Sequence, residues 1–350
     1  MTRPIQLLGK SCGPGHAPLL VAELSGNHNG RLETALKLIE AAAKAGADAI
    51  KIQSYTPDSI TLDHDGPGFH LEQGLWQGRS LYELYQQAHT PWDWHPRLFQ
   101  HAHQLGVPLF SSPFDASAVE MLQRLGCPAY KIASFELVDL GLIAQVAATG
   151  KPVILSTGMA SLGEIEEAIA AFNGVAGHGD LLLLHCTSGY PTPVDEAHLN
   201  SIPVLRQCFD LPVGLSDHSQ SSAVATAAVA LGACLIEKHF MLSRQAGGVD
   251  AEFSLEPDEF RQLAQGCREA WRALGRASFQ PTPAETSHIA NRRSLYAVQD
   301  IPAGAPLTAD NVRSIRPGFG LHPRELSQIL GKRARQAIAR GTALRWDLLD

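Results

Sequence analysis

The sequence predicts an α/β protein, a (β/α)8 TIM barrel followed by a small C-terminal domain. Three observations carry that prediction. Eight short apolar, β-branched runs recur between residues 18 and 239. A stretch with helical patterning follows most of them. Past residue 280 the alternation stops, and the chain becomes strand-like with Gly/Pro turns.

The eight runs are PLLVAEL (18–24), DAIKIQ (48–53), PLFSS (108–112), AYKIAS (129–134), PVILST (152–157), LLLLHCT (181–187), PVGLSD (212–217) and CLIEKH (234–239). Strands alternating with helices imply a parallel sheet with helices outside it. Eight such units in about 250 residues match the size of a closed barrel. An open doubly wound sheet is the alternative. In RLETALKLIEAAAKAGA, residues Leu32, Ala35, Leu36, Ile39 and Ala43 form one stripe, and Gly46 supplies the stop. SLGEIEEAIAAF opens on a Ser161–Glu164 capping box. The stretch 54–107 is too long for an ordinary crossover, and 54–80 reads as a loop over the barrel mouth. The domain boundaries read as 1–280 for the barrel, 281–290 for a polar, Pro-containing linker, and 291–350 for the second domain.

Composition narrows the function classes. A chain of 350 residues with 45% hydrophobic content can bury a large core. A net charge of −7 without a long basic run argues against a nucleic-acid partner. No run of about 18 apolar residues exists to span a membrane. The first 18 residues lack the apolar core of a secretory signal. Six scattered cysteines without a C-x-x-C read as reduced thiols of a cytoplasmic protein. There is no P-loop, and the lack of a G-x-S-x-G elbow disfavours a covalent hydrolase.

Barrel enzymes carry their chemistry at the strand carboxyl ends, and those ends are polar here. They present Glu23, then Lys51 and Gln53, Ser111–Ser112, Lys131 with Ser134 and Glu136, Ser156–Thr157, Thr187–Ser188 and Tyr190, Ser216–Asp217–His218, and Glu237–Lys238–His239. A lysine within an apolar strand is costly to bury unless paired. Lys51 and Lys131 hold equivalent places, which with the hydroxyls favours a phosphate or carboxylate site. The alternative is that each points outward and snorkels. His218 and His239 end adjacent strands, close enough to share one metal ion. The alternative is a pair of ordinary hydrogen-bonded histidines. Glu23 ends the strand that closes against the last one, as an acid/base or a ligand-orienting group.

AELSGNHNG, IKIQSYTPDSITLD, PWDWH, SSPFD, YKIASFE, STGMA, HCTSGYPTP, GLSDH, IEKHF and RPGFGLHP together resemble the sialic acid synthase family over nearly the whole chain. The tail resembles that family's antifreeze-like (SAF) domain. GLWQGRSLYELYQQAHTPWDWH and RRSLYAV…RPGFGLHP point to its pseudaminate branch. The resemblance implies condensation of phosphoenolpyruvate with a 2,4-diacetamido-2,4,6-trideoxy-altrose and release of phosphate. It also implies a divalent metal (Mn2+, Mg2+ or Co2+) on His218 and His239, and a domain-swapped homodimer. By the resemblance, Lys51, Ser112, Lys131, Ser134, Ser156, Ser188 and Ser216 hold phosphoenolpyruvate or its product oxygens. Glu23 is acid/base, and Glu136 assists water or phosphate chemistry. Tyr190 and Asp250 face the sugar, which Arg316 reaches from the partner chain. The sialate branch has Asn where Ser188 stands and Thr where Ser112 stands, which leaves the contact of Ser188 open. The rival readings are an N-acetylneuraminate or legionaminate synthase, a barrel enzyme making a 3-deoxy-sugar phosphate, and a non-catalytic sugar-binding barrel.

Overall fold

The computed structural model describes residues 2–350 and divides into two compact units, one ending at Gly275 and one spanning Arg276–Asp350. The first begins with an antiparallel hairpin, β1 (Ile5–Leu7) and β2 (Lys10–Cys12), which the sequence reading did not anticipate. Ile5, Leu7 and Cys12 are buried, and Cys12 Sγ lies 3.3 Å from the carbonyl of Cys234. Cys234 precedes the last barrel strand, so the hairpin closes the amino-terminal end of the barrel.

All eight apolar runs form strands. These are β3 (Leu19–Glu23), β4 (Ala49–Ser54), β5 (Leu109–Pro113), β6 (Tyr130–Ile132), β7 (Val153–Ser156), β8 (Leu181–Cys186), β9 (Val213–Asp217) and β10 (Leu235–His239). They close in chain order, with β10 pairing β3, and every pair is parallel. Nearly every strand residue is buried. The helices cover the outer face, as a parallel sheet requires. Inside, Gly214 leaves no room for a side chain, since a Cβ there would lie 2.5 Å from the Leu235 carbonyl.

The helix Leu32–Lys44 buries Ala35, Leu38, Ile39 and Ala42. The expected stripe is therefore corrected. Leu32, Leu36 and Ala43 lie half-buried at its margin, and Leu38 and Ala42 join Ala35 and Ile39 at the centre. Gly46 ends this helix region at φ +96°, a conformation that glycine adopts without strain. The Ser161–Glu164 capping box forms at the start of the helix Leu162–Ala176.

The second unit pairs β11 (Ser294–Ala297) with β12 (Val312–Ile315), antiparallel. Its own core contains Leu295, Ile301, Leu307, Val312, Ile329, Ile338 and Leu344. Residues 281–290, read as a linker, include the helical turn Pro283–Thr286 and belong to this unit.

In the long crossover, PWDWH has an anchoring role. His95 is fully buried at the start of the helix His95–Gln104. Its Nδ1 lies 3.2 Å from the Pro91 carbonyl, which can only accept, so Nδ1 carries the proton. Nε2 is then the acceptor for Ser54 Oγ at 2.8 Å, which ties the crossover to the end of β4. Burial pushes His95 down to about 4, against the raising effect of the Pro91 and Trp92 carbonyls.

The unfolded chain therefore takes up this proton first as pH falls. The contribution is whole above pH 6.5 and is lost progressively towards pH 4, for a total of about 3 kcal/mol. Urea-unfolding midpoints for wild type should decline through that window. His95→Gln should start lower and decline less steeply. A variant as pH-sensitive as wild type would refute this role.

Candidate active site at the carboxyl end of the barrel

Strand register builds the site. Glu23 on β3 lies beside Lys51 on β4 and beside His239 on β10, while Glu237 on β10 lies beside Ser216 on β9. These residues share the inward parity of their strands. The intervening residues point outward, where Lys238 Nζ pairs with Asp217 Oδ2 at 2.8 Å.

The inward set forms a buried chain of charge. Lys51 Nζ sits 2.5 Å from Glu23 Oε2 and 3.4 Å from Glu237 Oε1. Lys131 Nζ reaches the same Glu237 oxygen at 3.3 Å, and Ser216 Oγ donates to it at 3.3 Å. Burial opposes the charge on Lys51, but Glu23 and Glu237 outweigh it and hold the amine above its ordinary value. Burial likewise opposes the Glu237 carboxylate. Lys131 and Lys51 overcome it and bring Glu237 down to about 2. Both lysines point inward, so the snorkelling alternative fails for each. Gln53 Nε2 donates to Glu23 Oε1 at 3.2 Å, and the Ser25 amide donates to the same oxygen at 2.9 Å.

Above this chain opens a cavity of about 480 Å3. Ser112, Lys51, Lys131, Ser134, Glu136, Tyr190, His218, Glu237, His239 and Asp250 all line it. Lys51 Nζ lies 3.4 Å from Ser112 Oγ, and Ser134 Oγ donates to Ser156 Oγ at 3.0 Å. The Gly158 amide donates to Ser134 Oγ at 3.1 Å. Ser134 and Glu136 belong to a short turn, Ser134–Glu136, just beyond β6. Burial raises the Glu136 carboxyl to about 7, against the lowering effect of Lys131. Its Oε2 is buried without a hydrogen-bond partner.

Four expected binding residues are not part of this cavity wall. Ser156 and Ser216 are buried behind it, reaching it through Ser134 and Glu237. Ser188 lines a neighbouring groove together with Thr157 and Cys186. Arg316 belongs to the second unit, where His288, Asn291, Arg292 and Arg293 accompany it around a cavity of about 460 Å3.

The rings of His218 and His239 are 5.3 Å apart. His218 Nδ1 lies 3.1 Å from the Thr187 carbonyl, so that nitrogen donates and Nε2 keeps its lone pair. His239 Nδ1 is buried without a hydrogen bond and lies 3.6 Å from Asp250 Oδ2. Among the described residues, no three His, Cys, Asp or Glu side chains form a closed metal cage. The pair therefore fits an open site, in which water and substrate would complete the ligand set.

Two functional candidates escaped the sequence reading. Glu237 was noted as a strand-end residue without a role, although its period-two spacing from His239 marks it as inward. Cys186, one of the scattered reduced thiols, lines the cavity 3.8 Å from His218 Nδ1. Cys208 is exposed, while the other five cysteines are buried and free.

The NeuB family model matches residues 38–279, and the SAF domain model matches residues 292–350. The chain belongs to the NeuB family. It is 46% identical to the pseudaminic acid synthase of Campylobacter jejuni subsp. jejuni, covering 93% of this chain and 95% of that protein. It is 41% identical to the pseudaminic acid synthase of Helicobacter pylori, over 95% and 98% respectively. Among solved structures, the N-acetylneuraminic acid synthetase of Leptospira borgpetersenii, in complex with citrate, superposes with a TM-score of 0.73. It is 32% identical and covers 83% of this chain and 96% of that one.

In this NeuB-family barrel, Glu237 holds two buried lysines apart. Glu237→Gln removes that compensation and should cost about 3–5 kcal/mol of stability. Thermal unfolding should show the loss, whereas Glu72→Gln, an exposed control, should show none. Equal melting temperatures for wild type and Glu237→Gln would refute the charge chain.

Proposed function

We propose that this chain is a pseudaminic acid synthase. It would condense phosphoenolpyruvate with 2,4-diacetamido-2,4,6-trideoxy-β-L-altropyranose to give pseudaminic acid and phosphate. The observation that carries this reading is a cavity with two buried lysines and several hydroxyls on one wall, in a chain similar to named pseudaminic acid synthases along most of its length. Phosphoenolpyruvate bears its charge on a phosphate and a carboxylate. Lys51, Lys131, Ser112 and Ser134 offer ammonium and hydroxyl donors suited to both.

A divalent cation (Mn2+, Mg2+ or Co2+) held by His218 and His239 would polarise the sugar aldehyde. The double-bond electrons of phosphoenolpyruvate form the new C–C bond from its C3 to the aldehyde carbon, leaving cationic character at C2. The aldehyde oxygen, an alkoxide once the bond forms, would gain its proton from water with Glu23 as the relay. Water adds at C2, and Glu136, half-ionised near neutrality, would take its proton. Collapse at C2 releases phosphate, whose growing charge Lys51 and Lys131 would balance. Tyr190, whose ring lies 4.5 Å from that of His218, and Asp250 would bound the sugar. A cytoplasmic location belongs to the same reading, since phosphoenolpyruvate is an intracellular metabolite.

The reading includes a domain-swapped homodimer in which Arg316 serves the partner's barrel. Charge supports it. Arg276–Asp350 carries 11 Lys and Arg against 6 Asp and Glu, leaving 17 and 29 to the remainder of a chain whose totals are 28 and 35. A basic tail suits an acidic barrel, and opposite potentials favour their encounter.

Phosphate release should be strongest with the altrose-type precursor, compared with mannose- and legionaminate-type precursors. It should vanish with chelator and return with added Mn2+ or Mg2+. Comparable release from every sugar would refute the assignment, and full turnover in chelator would refute the metal. Separately, Arg316→Ala and Lys131→Ala chains, each inactive, should regenerate activity when mixed. Heterodimers that stay inactive would contradict a shared site.

A further inference from the structure

The cavity has a second wall of different chemistry. The crossover between β4 and His95 supplies Tyr55, Ile60, Leu71, Trp76, Leu81, Leu84, Tyr85 and Ala88 to its lining. Phe114, Val249 and Phe253 extend the same surface. The crossover is rich in polar residues, yet none of its charged side chains faces the cavity. Asp58, Asp63, Asp65, Glu72 and Glu83 are all exposed. Of its large apolar residues, Leu62 and Leu75 are exposed, whereas Ile60, Leu71, Trp76, Leu81 and Leu84 line the cavity.

This wall is held in shape. Leu71 pairs across a tight loop, its N donating to Arg79 O at 2.9 Å and its O accepting from Gly78 N at 2.8 Å. Gly74 and Gly78, at φ +86° and +83°, permit the reversal. Phe69 O then accepts from Leu81 N at 2.9 Å, which extends the pairing to the start of the helix Leu81–Ala88. Trp76 projects from this loop, and its Nε1 donates to the Val249 carbonyl at 2.7 Å. Its only polar atom is thereby spent, and the indole offers the cavity a ring surface. Trp76 packs at 5.6 Å from Tyr190 and 6.3 Å from Phe253. Of the eight crossover residues that line the cavity, only the tyrosines Tyr55 and Tyr85 keep a polar atom for a ligand.

A hexose with a full set of hydroxyls fits such a surface poorly. A hydroxyl pressed against it would lose its water and gain no partner, forfeiting roughly five- to a hundredfold in affinity. A methyl in the same place gains affinity from burial. We propose that Leu71, Trp76 and Leu81 form a selectivity wall that admits a sugar deoxygenated at its terminal carbon and rejects the counterpart bearing a 6-hydroxyl. This rests on the synthase reading above and assigns sugar discrimination to the crossover, not to the strand ends.

The test uses a matched pair, 2,4-diacetamido-2,4,6-trideoxy-altrose and the same sugar with a 6-hydroxyl. Wild type should favour the deoxy sugar in kcat/KM by about 10- to 100-fold. Leu71→Gln and Leu81→Gln should cut that ratio by about tenfold, through a lower KM for the hydroxy sugar and a higher KM for the deoxy sugar. Trp76→Phe, which loses the hydrogen bond but keeps an apolar ring, should retain the preference. Equal use of both sugars by wild type would overturn the proposal, as would an unchanged ratio in both glutamine variants. Should those variants not fold, the wild-type comparison decides alone. If neither sugar is turned over, the reaction assignment fails. Calorimetric binding of the two sugars then decides the wall, with tighter binding of the deoxy sugar supporting it and equal or no binding refuting it.

Discussion

The site depends on the placement of Glu237 between two buried ammonium groups. Lys51 and Lys131 rise from different strands into the same interior, where an unpaired charge is costly. Glu237 takes both, and Glu23 takes Lys51 a second time. The cluster is therefore balanced in number, two cations against two anions. It is not a device for raw stability, because desolvating four charges consumes most of what their attraction returns. Its use is to keep two ammonium groups charged, and in fixed positions, beneath a cavity where an anion can be received. The Glu237 carboxylate lies behind them and Ser112 beside them, which leaves part of each ammonium's hydrogen-bonding capacity free for a ligand.

The barrel converts sequence parity into this arrangement. Strand residues alternate between interior and helix layer, so Glu237 and His239 face inward while Lys238 between them faces out to Asp217. The same alternation separates Ser216 and His218 from Asp217. A one-residue slip of β10 would exchange the two sets and send the catalytic candidates into the apolar helix layer. The hairpin that closes the amino-terminal end and the Ser54–His95 anchor fix that geometry from opposite ends of the barrel.

This explains which features could be read from the sequence. The eight strands were legible because a parallel sheet covered on both faces requires short continuous apolar runs, and each run stands out against polar helix surfaces. Lys51 and Lys131 were legible because a charge inside such a run demands an explanation. Glu237 was visible as a strand-end residue but not as the hub, since its importance arises from two lysines over a hundred residues upstream. Ser156, Ser188 and Ser216 were named as direct binders by motif. In the structure Ser156 and Ser216 hydrogen-bond to the cavity residues Ser134 and Glu237, and Ser188 lines the adjoining groove, a distinction that a sequence motif does not carry. The crossover was legible only as a long loop. The segment before the helix Leu81–Ala88 has no period for a pattern to reveal, and Leu71 and Trp76 join Leu81 in one surface only once the backbone pairing of Leu71 with Arg79 forms.

The two walls therefore have different structural origins. The polar wall is built from strand ends whose positions are set by barrel closure, so any change there disturbs a balanced set of buried charges. The apolar wall comes from an insertion that is anchored at Ser54 and latched at Val249, yet contributes nothing to the sheet. Substituting Leu71 or Leu81 alters what the cavity tolerates without unbalancing Glu237 and its lysines. In the proposed reaction the first wall serves the phosphoenolpyruvate common to every substrate pair, and the second serves the sugar that differs between them. A barrel organised in this way can change its sugar by altering one loop while its handling of the anion stays constrained by burial.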